Sequence, residues 1–203
     1  QASLKSETAL NRKTGANIFF FYWNPREDYL TQVFSYVLSN TSTAPAFCDF
    51  LLNKMKSIYV MHADDDIKVE TQVTVANGRI DMLVRAGQLT FIFEHKIDSG
   101  LSDDQLKHYV DSFPHENAAH VYTILITANR FQHTQDADVK LIWADIYEYF
   151  AGLKDALGGT DEYLVNQFCH FLLEQNLGPM GPITAESVLG YFPAQELERK
   201  LDI

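Results

Sequence analysis

Two cysteines are too few for a disulfide scaffold or a thiolate metal cluster. Cys48 and Cys169 each sit in an apolar helical stretch and read as buried thiols. A reducing, cytoplasmic setting follows as the simplest expectation. Long apolar runs are also missing. The cluster at 18–23 is far short of the about 18 residues that a membrane-spanning helix needs, so no membrane partner is expected. The polar opening, 1–13, carries no secretory leader pattern. His62, His108, His115, His120, His133 and His170 show no metal-ligand spacing. Asp64-Asp65-Asp66 lacks the glycine and distal glutamate of a calcium loop and reads as a solvated loop. Positive charge is scarce: 16 Lys and Arg stand against 27 Asp and Glu, a net charge of −11. Phosphate binding depends on Lys and Arg, so this balance counts against nucleic acid. The deficit is uneven, however: +2 over 1–60, −5 over 61–113 and −8 over 114–203.

What is present is a foldable core. Hydrophobic residues make up 46% of the 203 and charged residues 21%, which fits one domain, alone or with a small appendage. The chain starts without Met and is expected to be a piece of a longer protein. Asn24-Pro25 caps a helix whose apolar stripe is Leu30, Val33, Phe34, Val37 and Leu38. A second helix is predicted over 46–57. The period then drops to two: Val69, Thr71, Val73 and Val75 alternate with polar residues, as in a strand. Asn77-Gly78 predicts a hairpin turn into a strand over 79–85, and Gly87-Gln88 a second turn into a strand over 89–96. Ser102-Asp103-Asp104-Gln105 reads as a capping box opening a helix that Pro114 ends. The apolar run 121–127 predicts a buried central strand, followed by a short strand near 139–143 and helices over 145–157 and 161–175. The order α-α-β-β-β-α-β-β-α-α describes an α/β layered domain with a mixed central sheet: a β-meander, then a crossover helix.

The second hairpin carries a geometric consequence. With Gly87-Gln88 as its loop, Ala86 faces Leu89 and Asp81 faces Glu94, with Cβ atoms roughly 5 Å apart. Lys96 shares the face of Glu94. Two carboxylates this close repel unless a cation stands between them, and either Lys96 or a hard metal ion meets that need. A solvated salt-bridge cluster is the plain alternative. By the first hairpin, with Asn77-Gly78 as the loop, Arg85 faces Glu70.

Asp81 on one strand, Glu94-His95-Lys96 on the next, and Gln105-x-x-x-Tyr109 on the following helix resemble the PD-(D/E)XK nuclease superfamily; the last motif is similar to its RecB-like branch. Glu27 matches the acidic residue many members carry on the first helix, while Ile80 stands where others have proline before the aspartate. The resemblance implies a restriction-endonuclease-like core and a nuclease that hydrolyses DNA, ahead of RNA, to 5′-phosphate ends. It implies Mg²⁺ or Mn²⁺ held by Asp81, Glu94 and the carbonyl of His95, with Glu27 completing the shell. Lys96 would orient or deprotonate water or neutralise charge. Gln105 and Tyr109 would position Lys96, water or phosphate. Apart from the resemblance, Arg79 and Lys107 are basic residues in or near the core motif and are expected to meet the nucleic acid. Parity turns the His95 ring to the opposite face. A bacterial setting, with a role in defence or repair, rests on analogy alone.

The expected domains are an N-terminal segment (1–23), a nuclease-like core (24–157) and a C-terminal helical appendage packed on it (158–203). A partner domain or a homo-oligomer is expected to supply missing basic surface. The rival from another class is a catalytically silent nuclease-fold domain that binds protein or nucleic acid.

Overall fold

The computed structural model describes residues 17–19, 26–62, 65–76, 78–97, 104–112, 120–133 and 136–181. Asn24-Pro25, Asn77, Ser102-Asp103 and Pro114 lie outside the described residues, as does 182–203. Two helices, α1 (Arg26–Asn40) and α2 (Ala44–Lys54), precede the meander β1 (Ile67–Val75), β2 (Gly78–Ala86) and β3 (Leu89–Lys96). Helix α3 (Gln105–Ser112) leads to β4 (His120–Thr127) and β5 (Val139–Ile142). Helices α4 (Trp143–Leu153) and α5 (Gly159–Glu174) follow.

The strands form one sheet in the order β1-β2-β3-β4-β5. The hairpins make β1–β2 and β2–β3 antiparallel. The β3–β4 pair is parallel, as a connection through a helix requires, and β4–β5 is parallel too. The protein therefore has an α/β fold of the restriction-endonuclease-like kind; among the described residues it is a five-stranded mixed sheet flanked by five α-helices.

The two faces of the sheet are covered unequally. Phe34 of α1, Phe47 of α2, Trp143 and Phe150 of α4 and Phe168 of α5 form a buried aromatic core with Phe91 and Phe93 on one face. Apolar residues at helical spacing drive these helices onto the sheet. The segment beginning at 158 enters this same core through Val165, Phe168, Phe171 and Leu172. On the other face, Leu106 and Tyr109 of α3 cover a smaller cluster of Ile80, Leu83, Ile92 and Leu125. Both faces of β3 are thus covered, and it is buried along its length up to Lys96.

The first hairpin differs from expectation. Val75, not Ala76, forms the pair that closes the turn, and its partner is Gly78. Arg85 then faces Lys68, and Glu70 faces Leu83. The Arg85–Glu70 ion pair still forms, on the diagonal. Gly78 thus stands in the strand and not in the turn. Gly78 has φ +149°, and a Cβ there would stand 3.0 Å from the Tyr109 ring. Gly78 opens β2 as the point where backbone and Tyr109 touch.

Candidate active site

The β2–β3 ladder runs in the expected register from Ala86–Leu89 to Met82–Phe93. One step further stand Asp81 and Glu94, and there the ladder stops. The His95 N–H donates to the Asp81 carboxylate instead, at 2.8 Å. The neighbouring strand breaks at the same level. Gln72 is skipped in the β1–β2 ladder although Thr71 still faces Met82 and Val73 still faces Ile80. Its φ is +57°, an unfavourable backbone for a residue with a side chain.

Glu94 is fully buried. Its Oε1 receives Lys96 Nζ at 2.7 Å and Gln105 Nε2 at 2.8 Å. Its Oε2 is buried with no hydrogen-bond partner among the described residues. Burial, and next the Asp81 charge, push its pKa up to about 7 against the opposing pull of Lys96. Burial also raises Asp81, although the His95 N–H and Lys96 favour its charged form. For Lys96 burial alone would lower the pKa, but Glu94, Asp81 and Glu27 outweigh it and raise it. Lys96 is therefore an ammonium at neutral pH.

Helix α3 brings the next layer. Gln105 and Tyr109 share a face at i and i+4. Gln105 Nε2 donates to the Tyr109 oxygen at 2.6 Å, and the Tyr109 hydroxyl donates to the Arg79 carbonyl at 2.9 Å. Burial pushes Tyr109 up to about 12, so it keeps its proton. Helix α1 brings Glu27, whose Oε1 accepts from the Ile97 N–H at 2.7 Å.

Glu94, Lys96, Gln105 and Tyr109 thus form one connected cluster, and Asp81 stands near enough for its charge to act on Glu94 and Lys96. Glu27 meets the end of β3 at Ile97. Gln105 meets Glu94 itself, beside Lys96. The side chains of the two residues expected to meet nucleic acid stand outside this cluster. The Arg79 guanidinium is paired with Asp28 at 3.2 Å. Lys107 is exposed and lies about 200° around α3 from both Gln105 and Tyr109, away from their face. The His95 ring is fully buried on the aromatic side, between Phe34, Phe93 and Trp143. Desolvation there pushes its pKa down to about 3. Sequence reasoning missed Thr31, whose hydroxyl meets His95 Nδ1 at 2.7 Å, and Asp28, which holds Arg79. Spacing on α1 offered a signal for Thr31 alone, since it is one turn beyond Glu27.

A family model of the PD-(D/E)XK nuclease superfamily matches residues 24–170. That is most of the chain, and the protein belongs to this superfamily. No curated protein and no solved structure matches it. The family activity is phosphodiester hydrolysis, typically with divalent metal. Among the described residues no three His, Cys, Asp or Glu side chains are arranged to hold a metal. The carboxylate pair fits one nonetheless on the chemistry of its donors. Glu94 Oε2 is a buried oxygen with no hydrogen-bond partner among the described residues, and the Asp81 charge opposes the ionisation of Glu94. Oxygen donors of this kind suit Mg²⁺ or Mn²⁺.

Proposed function

We propose that the protein is a divalent-metal-dependent nuclease that hydrolyses DNA, ahead of RNA, to 5′-phosphate and 3′-hydroxyl ends. One observation carries the reading: a fully buried glutamate with one oxygen shared by Lys96 and Gln105 and the other without a hydrogen-bond partner among the described residues. A buried carboxylate without compensation is costly, and a cation beside Asp81 and Glu94 removes the cost. Asp81, Glu94 and the His95 carbonyl would hold Mg²⁺ or Mn²⁺. When bound, such an ion supplies an activated water and neutralises charge on the phosphate.

The chain's own residues do the rest. Lys96, in contact with Glu94, is placed to neutralise charge at the transition state or to orient the attacking water. Gln105 fixes the Glu94 rotamer, and Tyr109 fixes Gln105 and the backbone at Arg79. Glu27 sets the end of β3 through Ile97. The Gln105-x-x-x-Tyr109 pair supports placing the chain in the RecB-like branch.

The rival, a silent nuclease-fold domain that binds protein, draws on the net charge of −11 and on Arg79 being occupied by Asp28. Calorimetry with Mn²⁺ and Mg²⁺, then a cleavage panel of plasmid, linear and single-stranded DNA and RNA, separates the two. Metal binding that Glu94→Gln removes, with cleavage that Lys96→Ala removes, is the expected result. No metal binding at millimolar concentration would sink the nuclease reading.

A further inference from the structure

We propose that Thr31 is a positioning residue for the carboxylate pair, acting through the His95 ring to fix the His95 peptide. This rests on the nuclease reading above. Thr31 is 1% exposed and His95 0%, and Thr31 Oγ1 lies 2.7 Å from His95 Nδ1. His95 Nε2 is buried without a partner, so Thr31 makes the ring's one hydrogen bond among the described residues. Phe34, Phe93 and Trp143 surround the ring at centroid distances of 5.9, 6.0 and 5.1 Å. An apolar side chain would fill that space without needing a partner. A polar pair inside an aromatic core instead fixes one orientation.

That orientation reaches the site through the backbone. The His95 N–H donates to Asp81 at 2.8 Å. The same helix acts two residues further on. Glu27, one turn before Thr31 and on the same face of α1, accepts from the Ile97 N–H at 2.7 Å. Helix α1 therefore grips β3 at His95 and at Ile97, on either side of Lys96. The grip sets both the residue that aims Asp81 and the strand segment that aims Lys96 at Glu94.

The test pairs Thr31→Val, which keeps the shape and loses the hydroxyl, with Thr31→Ser, which keeps the hydroxyl. Native-state hydrogen exchange of the His95 amide is read without metal, and Mn²⁺ affinity by calorimetry. In Thr31→Val the His95 amide is expected to exchange about tenfold faster relative to core amides, and Mn²⁺ to bind about tenfold more weakly. Thr31→Ser is expected to restore both to within about twofold. A uniform loss of Tm with unchanged relative exchange and unchanged Mn²⁺ affinity would overturn the proposal, as would Thr31→Ser behaving like Thr31→Val. Wild-type protein that binds no Mn²⁺ sinks the nuclease reading, while the exchange pattern still decides the grip. Should Thr31→Val not fold, the wild type decides. Opening of the His95 and Ile97 amides only with global unfolding supports the grip, and local opening at His95 refutes it.

Discussion

Glu94 and His95 are neighbours in sequence, and both are fully buried. They face opposite sides of the sheet and meet opposite chemistry. His95 enters the large aromatic core, where burial holds it neutral and a single hydroxyl satisfies one nitrogen. Glu94 enters the small cluster under α3, where a lysine and a glutamine converge on one oxygen and leave the other bare. Period-two alternation alone separates the two environments. The aromatic side supplies stability. The α3 side carries the concentrated charge that a reaction on phosphate needs.

The largest break in this comparison is Glu94→Gln. It should abolish cleavage and metal binding while the apo protein stays folded, because it deletes a buried charge and keeps the shape. Circular dichroism and calorimetry check the two halves. Lys96→Ala should cost about 10²–10³ in kcat. On the opposite face, Phe34→Ala should cost about 3–5 kcal/mol in a urea melt, against about 1 kcal/mol for Ile92→Val under α3.

Gly78→Ala probes the contact between backbone and Tyr109. Both the tight approach and the positive φ oppose it. A loss of about 1–3 kcal/mol is expected, with kcat falling as Tyr109 is displaced.

The two neighbours should also titrate in opposite senses. The folded pKa of Glu94, about 7, lies above the ordinary glutamate value of 4.5. Its contribution to stability is then present below about 4.5 and lost as pH rises through 7. The folded pKa of His95, about 3, lies below the ordinary histidine value of 6.5. Its contribution is present above 6.5 and lost as pH falls toward 3. Melting curves of the apo protein should show Glu94→Gln gaining stability over wild type between pH 4.5 and 7 and holding that gain above. Acid loss from His95 should persist in the variant. The smallest effect is a double-mutant cycle on Glu70 and Arg85, both partly exposed, with an expected coupling of about 0–1 kcal/mol.

Much of this was legible along the chain. The element order, the register of the second hairpin and the shared face of Glu94 and Lys96 follow from local rules of period, capping and turn length. The first hairpin departs from the Asn77-Gly78 turn rule by two residues in pairing, because Gly78 belongs to the strand. Its demand comes from Tyr109, 31 residues away in sequence. Arg79 and Lys107 were placed by proximity in sequence. Asp28 on a different element takes the first, and helical rotation carries the second away.

The sequence by itself determined the alternation that separates Glu94 from His95, the i, i+4 pairing of Gln105 with Tyr109, and the strand–turn–strand–helix order that brings them near. These are properties of short stretches of backbone, and side-chain parity follows directly from period. Only the tertiary structure decided which groups satisfy one another. It set Gln105 on Glu94, Glu27 on Ile97, Thr31 on His95 and Asp28 on Arg79. Each of those contacts joins distant parts of the chain, and at the buried ones an unpaired polar group is costly enough to dictate its partner.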